Sequence, residues 1–278
     1  MKDFFKAHNI EFYSLIPLSK CKITKQYLLD QSSLDENSNV IVVLLPYRSE
    51  IKPKNLSVYA SVPDYHEYVN ILRKEAKEYV FKKYPDAKFE VFADHSPVNE
   101  VHAAIVSGLG FVGDNGLLIN EKYSSFVFLC EFVTNLGEIE LGIPFSTNDE
   151  IRTCIHCKAC MRACPSHCMD ESDPSPKTEC LSAITQKKGN LSENEIEMML
   201  KNHTIWGCDI CQNVCPFTKN ASYTPIPYFR DGVIETLTLE YLDNLSDDEF
   251  KKKPFSWRGK ETIRRNLLIE KENGVTYD

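Results

Sequence analysis

The chain has 278 residues, a formal net charge of −8 at pH 7, 42% apolar residues and 26% charged ones, the composition of a folded globular protein and not of a disordered or collagen-like one. Its longest purely apolar run, Val40 to Leu45, is far short of the roughly 20 residues that cross a bilayer. The N-terminus, with Lys2, Asp3, Lys6 and His8, has no signal-peptide apolar stretch, so a cytoplasmic protein without a membrane segment is expected, and the acidic balance argues against a general polyanion binder while leaving room for a local basic patch.

Asn39 to Pro46 is a β-branched apolar run closed by proline and predicts a buried strand. From Asp64 to Tyr84 the side chains Tyr65, Tyr68, Val69, Leu72, Ala76, Tyr79 and Val80 recur at helical spacing, with Pro85 just beyond. Phe89 to Ala93 predicts a second strand that ends on Asp94, followed by a short helix over Val98 to Ser107. Gly108, Gly110, Gly113 and Gly116 come next, then two strand-like runs, Leu117 to Asn120 and Ser125 to Thr134. Near residue 145 apolar strands give way to cysteine, proline and charge. This divides the chain into domains over 1–145, 146–220 and 221–278. The last opens on Tyr223, Pro225, Pro227 and Tyr228, continues with helices around Leu237 to Asn244 and Lys260 to Glu270, and is too short for a third large domain.

Of eleven cysteines, only Cys21 and Cys130 lie outside the segment from Cys154 to Cys215. A cytosolic chain keeps thiols reduced, so such density points to metal and not to disulfides. Cys154-x2-Cys157-x2-Cys160-x3-Cys164-Pro165 is the bacterial ferredoxin run, in which three thiolates grip one [4Fe-4S] cube and the fourth reaches a second cube. Cys208-x2-Cys211-x3-Cys215-Pro216 adds three thiolates and Cys180 one more, which completes the eight that two cubes require. By this logic Cys154, Cys157, Cys160 and Cys215 form one set, and Cys164, Cys180, Cys208 and Cys211 the other. Structural zinc is the alternative, but its C-x2-C pairs usually stand a dozen residues or more apart, and this run is cramped for that. Cys21 and Cys168 are spare thiols in this reading, and Cys130 a small buried hydrophobe. Each oxidised cluster with its thiolates carries about −2. Lys158, Arg162, Lys187 and Lys188 are therefore candidate offsetting cations, or simply solvated surface charges.

Gly108-Leu-Gly110-Phe-Val-Gly113 spells G-x-G-x-x-G, but a dinucleotide fingerprint follows a strand and opens a helix, whereas here a helix precedes and a strand follows. These glycines let backbone approach something flat or bulky, or make turns. Together with Leu44-Pro46-Tyr47, Asp64-Tyr65-His66, Ala93-Asp94, Glu131, both cysteine runs, Cys180-Leu181-Ser182 and Trp206-Gly207-Cys208-Asp209-Ile210-Cys211-Gln212, the chain resembles the epoxyqueuosine reductases, cobalamin and iron-sulfur enzymes that act on the wobble nucleoside of certain transfer RNAs.

The resemblance implies an α+β protein: an N-terminal α/β cobalamin-binding domain, a ferredoxin-like domain with two [4Fe-4S] clusters, and a short helical C-terminal remnant. Only the beginning of the family's helical-repeat domain is matched, around Trp257, Arg258, Arg264, Arg265, Asn266 and Leu267. It further implies that Asp94 donates a proton, that Gly108, Gly110, Gly113 and Glu131 serve the cofactor, and that an external low-potential donor supplies electrons to a monomer whose partner is tRNA. A carboxyl at the end of a strand beside an apolar cavity is expected to have a raised pKa and so to act as an acid; a helix N-cap before Val98 is the other reading of Asp94. Phe111, Asp114, Ala183 and Phe217 depart from the family's usual tryptophan, lysine, tyrosine and tryptophan. Two rival readings keep part of this machinery: reduction of a different small substrate, as in corrinoid dehalogenases, and a two-cluster electron carrier without corrinoid.

Overall fold

The computed structural model describes residues 1–146, 153–169 and 179–277. The chain divides into two compact units, Met1–Pro46 with Tyr65–Gly113 and Leu118–Ile155, and Tyr47–Asp64 with Asp114–Leu117 and His156–Asp278.

The first unit is built on a sheet of β1 (Tyr13–Pro17), β2 (Asn39–Pro46), β3 (Phe89–Phe92) and β6 (Val127–Thr134) in the order β1-β2-β6-β3. Every pairing is antiparallel, so the unit is α+β and not an alternating parallel fold. β2 spans the residues the sequence predicts, and Val40 to Leu45 are fully buried, as a run apolar on both faces demands when it sits inside a sheet. β1 was not expected from the sequence; it is short and carries Pro17 on a sheet edge, where a missing N–H costs no ladder bond. β4 (Phe111–Val112) and β5 (Leu118–Ile119) form a separate antiparallel pair. The helix Tyr65–Lys83 buries Tyr68, Val69, Leu72, Ala76 and Val80, one stripe at helical spacing. A core of Ile16, Leu18, Val42, Leu44, Ala103 and Val133, with neighbours, fills one side of the sheet.

In the second unit Leu56, Trp206, Leu237, Phe255, Ile263 and Leu267 share one core, and Leu181, Ile184, Leu191 and Met199 form a smaller one. The domain expected over 221–278 is thus not separate: its apolar side chains complete a core begun by residues 47–64 and 204–206. A segment of that length is marginal for a core of its own. The expected boundary near 145 also shifts, because two excursions of the N-terminal half, Tyr47–Asp64 and Asp114–Leu117, belong to the second unit. Among the described residues no helix is long and apolar enough to cross a membrane.

Candidate functional site

β3 ends at Phe92, and Asp94 follows in the left-handed region, φ 58°, a conformation that costs an L-residue roughly 1–2 kcal/mol. Two partners hold it there. Its backbone N–H donates to Glu100 Oε1 at 2.7 Å, and its Oδ2 lies 3.1 Å from His66 Nε2. Lys25 Nζ donates to its carbonyl at 3.3 Å. The hydrogen bond from His66 holds the Asp94 carboxyl below the usual carboxylate range, against partial burial, with Tyr65 and Lys25 adding to the effect. This corrects the expected raised pKa: the carboxyl stays open enough to water that its partners outweigh desolvation. Nor is Asp94 a helix cap. The helix Glu100–Val106 is capped by Asn99, whose side chain accepts from the His102 N–H at 2.9 Å.

Glu131, opposite Phe92 on β6, is 0% exposed, and neither of its carboxylate oxygens finds a hydrogen-bond partner among the described residues. Burial pushes its pKa well up, and the Glu100 carboxyl reinforces the shift; Glu100 is itself raised, by burial first. Burial and mutual repulsion thus favour the protonated form of the pair. Glu131, expected to serve the cofactor, is fully occluded in the sheet, beneath Glu100 and the Asp94 loop. Above them, Tyr65 stacks on Phe128 at 4.2 Å with 11° between the rings. Val127, Phe128 and Leu129 are half-buried while the rest of β6 is buried, which leaves an apolar shelf at the end of a central strand beside the Asp94–His66 pair.

The glycine run has structural work of its own. Gly108, φ 77°, closes the helix Glu100–Val106 with Leu109 N–H donating to the Ala104 carbonyl and Gly108 N–H to that of Ile105, both at 3.0 Å, a Schellman ending. A Cβ on Gly110 would meet the Ile119 carbonyl oxygen at 2.5 Å, so glycine is what allows β4 to pair with β5. Gly113 is buried.

In the second unit the short helices Ala159–Ala163 and Ile210–Asn213 pack on each other and carry Cys160 and Cys211. Cys208 and Cys211 are each pushed up to about 12, by burial first and then by nearby negative groups: Asp209, Cys180 and Cys164 around Cys208; Cys208, Cys180, Asp209 and Cys160 around Cys211. Cys180 thus lies near both Cys208 and Cys211, with Cys164 beside the first and Cys160 beside the second. All-thiol donors gathered this tightly fit iron–sulfur clusters. Cys157 and Cys215 are half-buried, and Cys154 closes the first unit. Cys168, expected to be spare, stands with its Sγ 3.7 Å from that of Cys164.

The offsetting cations are mostly spoken for. Asp114, where the family usually has lysine, pairs with His156 Nδ1 at 2.7 Å and Lys158 Nζ at 3.4 Å. Lys187 pairs with Glu195 at 2.9 Å, and Arg162 Nη1 donates to the Cys157 carbonyl at 2.8 Å.

The second cysteine loop is zipped to residues 55–58. Ile205 N–H donates to the Asn55 carbonyl at 2.8 Å, Ser57 N–H to that of Trp206 at 2.9 Å, and Val58 N–H to Asp209 Oδ2 at 2.6 Å. Gly207, φ 76°, leaves no room for a side chain, since a Cβ there would stand 2.0 Å from Ser57 Oγ. Asn266, on the helix Lys260–Glu272, reaches the other side of this loop. Its Nδ2 donates to the Thr185 and Ile205 carbonyls, both at 2.7 Å, and so ties the helix that follows Cys180 to the strand-like approach to Cys208.

Residues 153–218 match the model of the 4Fe-4S double cluster binding domain. The epoxyqueuosine reductase of Lactococcus garvieae is 34% identical over 229 residues, 80% of this chain and 63% of that protein. The epoxyqueuosine reductase of Leadbetterella byssophila is 31% identical over 253 residues, 86% of this chain and 79% of that protein. The chain belongs to the epoxyqueuosine reductase family. It spans less than two thirds of the length of the Lactococcus relative. Solved family structures share the fold: that from Streptococcus thermophilus has a TM-score of 0.74 at 23% identity, covering 96% of this chain and 79% of the other. An epoxyqueuosine reductase bound to an epoxyqueuosine-modified stem loop of tyrosine tRNA has a TM-score of 0.73 at 22% identity, with the same coverage.

Proposed function

We propose that this chain reduces epoxyqueuosine to queuosine in the anticodon of tRNA, as a cytoplasmic monomer served by an external low-potential electron donor. The Asp94–His66 pair beside the apolar shelf carries the reading, in a chain that also holds the double-cluster cysteine set. Converting the epoxide to an alkene consumes two electrons and two protons and releases water. When bound, a corrinoid and two [4Fe-4S] clusters supply those electrons.

The residues fit these groups. Cys154, Cys157, Cys160 and Cys215 would hold one cluster, and Cys164, Cys180, Cys208 and Cys211 would hold the other. Tyr65 and Phe128 offer a flat corrinoid an apolar seat, with Gly108, Gly110 and Gly113 as the backbone turn beside it and Glu131 supporting from below. Asp94 Oδ2 and His66 Nε2 share a proton across 3.1 Å. Asp94 passes that proton to the departing epoxide oxygen, and His66 replaces it. Glu100 keeps the Asp94 loop in its left-handed turn, so the carboxyl faces outward and not into the sheet.

The test is anaerobic titration of the cluster-reconstituted protein with cobalamin, read by cobalt EPR beside an iron count, followed by mass analysis of an epoxyqueuosine-modified stem-loop RNA. A base-off cob(II)alamin signal, about eight irons and loss of the epoxide oxygen are expected. Eight irons without corrinoid binding would make the chain an electron carrier, and corrinoid binding with turnover of free nucleoside or organohalide but not RNA would move it to a different substrate.

A further inference from the structure

A concavity of about 470 Å³ lies wholly within the second unit and opens beside the cluster ligand candidate Cys208. Its wall is basic. Arg48, Lys52, Lys54, Lys219 and His203 line it, and Asp209 is the lone carboxylate. That carboxylate is buried and already accepts from the Val58 N–H at 2.6 Å and from Gln212 Nε2 at 2.9 Å. Lys54 is paired with Glu235 at 3.5 Å, whereas Lys52 and Lys219 are exposed and make no ion pair among the described residues. This local positive face sits on a chain whose net charge is −8. Apolar side chains stand open within it: Ile51 is 43% and Tyr223 45% exposed. On the inner wall Ser57 Oγ is buried without a hydrogen-bond partner.

Exposed apolar contacts with a charged rim, next to a redox centre, make the surface of a short-lived electron-transfer complex, in which charge speeds encounter and the small contact area allows release. We propose that this face is the electron entry port of the chain and that it receives an acidic one-electron carrier protein, guided by Lys52, Lys219 and Arg48 and seated on Ile51 and Tyr223. The inference rests on the cluster assignment made above and names the partner of that site. At each encounter the carrier loses one electron, which reduces one [4Fe-4S]2+ cluster to [4Fe-4S]+, and no proton moves. Two encounters supply one turnover. A stem-loop RNA is the competing occupant of a basic face, but exposed apolar side chains around a cluster cysteine favour a redox protein.

The test uses the reconstituted holoprotein and an acidic bacterial flavodoxin in its hydroquinone form. Stopped-flow bleaching of cluster absorbance gives the second-order rate at several ionic strengths. The binding of oxidised flavodoxin is measured in parallel by quenching of its flavin fluorescence. In the unaltered protein the rate is expected to fall steeply with salt. Lys52→Glu with Lys219→Glu is expected to lower the low-salt rate at least about tenfold and to flatten the salt dependence. The milder Lys52→Gln with Lys219→Gln should fall between. Reduction by photoreduced deazaflavin, a small uncharged agent, is expected to stay unchanged in all variants.

A salt-independent rate in the unaltered protein, or an unaltered flavodoxin rate in both variants, overturns the proposal. So does an equal loss with deazaflavin, which would mean damaged clusters. Loss of stem-loop RNA affinity with the flavodoxin rate intact would assign the face to RNA and equally overturn it. If the holoprotein fails to convert epoxyqueuosine even with deazaflavin while the flavodoxin rate still depends on Lys52 and Lys219, the proposed function falls and the entry port stands.

Discussion

Asn266 is 0% exposed and makes all four hydrogen bonds its amide can make. Its Oδ1 accepts from Arg265 Nε at 3.0 Å and Nη2 at 2.8 Å, while its Nδ2 donates to the Thr185 and Ile205 carbonyls at 2.7 Å. The two guanidinium donors fix which way the amide points. Asn266→Leu keeps most of the volume but strands two buried carbonyls, each at a cost of about 1–3 kcal/mol, and deprives a cation of its acceptor. The two carbonyls alone cost about 2–6 kcal/mol, which for a chain of this size lowers the melting midpoint by roughly 4–24 °C. Because Thr185 ends the helix that starts just after Cys180, and Ile205 leads into Cys208, the loss should fall first on the cluster those cysteines share. Thermal unfolding of the reconstituted protein, followed both by far-UV circular dichroism and by visible cluster absorbance, reads the two effects. The variant is expected to lose cluster absorbance at a lower temperature than backbone structure and to retain about four irons of eight after gel filtration. A melting midpoint equal to that of the unaltered protein, with full iron content, would refute the argument that this amide ties the C-terminal helix to the cluster loops.

Other substitutions probe the remaining parts. Asp94→Asn should cut conversion of epoxyqueuosine RNA by about 10²–10⁴-fold while leaving iron content and corrinoid binding intact. His66→Leu removes the hydrogen bond that holds Asp94 low, so the Asp94 pKa rises and the limb on which the rate falls as Asp94 loses its proton moves to higher pH; a limb that stays in place would remove His66 from the acid pair. Glu131 has a folded-state pKa above its unfolded value. Its protonated form is the stable one, and stability declines as pH rises above the ordinary carboxylate value of about 4.3. Glu131→Gln should flatten that decline, measured as the melting midpoint between about pH 5 and pH 8, and a parallel curve would mean that Glu131 ionises freely. Cys164→Ser should release about four irons and Cys168→Ser none; equal losses would place Cys168 among the ligands. Gly207→Ala forces a side chain into φ 76° and within 2.0 Å of Ser57 Oγ, and should destabilise by about 2–4 kcal/mol in denaturant titration.

Much of the architecture was legible because the patterns concerned are local. β2 has the limits that its uninterrupted apolar run implies, and the helix Tyr65–Lys83 follows from its stripe and from Pro85. The cysteine runs declare their chemistry through spacing alone. What escaped has identifiable causes. The helices Glu193–Lys201 and Asp247–Lys251 each open on a capping box, Ser192 with Glu195 and Ser246 with Glu249, a signal present in the sequence that was not used. β1 is too short and too mixed to stand out from its neighbours. The compact units divide the chain differently from its composition, because the second is assembled from three separated stretches and no local change of composition marks Tyr47–Asp64 as belonging with the C-terminal half.

The acid site shows the same limit at the scale of single side chains. Asp94 was found by resemblance, but its protonation was argued from a cavity that the sequence could only suggest. The group that sets it, His66, lies 28 residues away in sequence and 3.1 Å away in space. A lone histidine in the first turn of a helix gives no sign of what it faces, and a surface or core role is the common outcome for such a residue. The desolvated carboxyl that sequence reasoning sought does exist, two residues into the adjoining strand pair, as Glu131 with Glu100. Burial raises the inner pair and partners lower the outer residue. Neighbouring carboxyls pushed in opposite directions are what a site needs to keep one proton in reserve and another exchangeable. The left-handed turn at Asp94, held by Glu100, is the link between the two, and the cost of that turn is borne where it sets the direction of the acid.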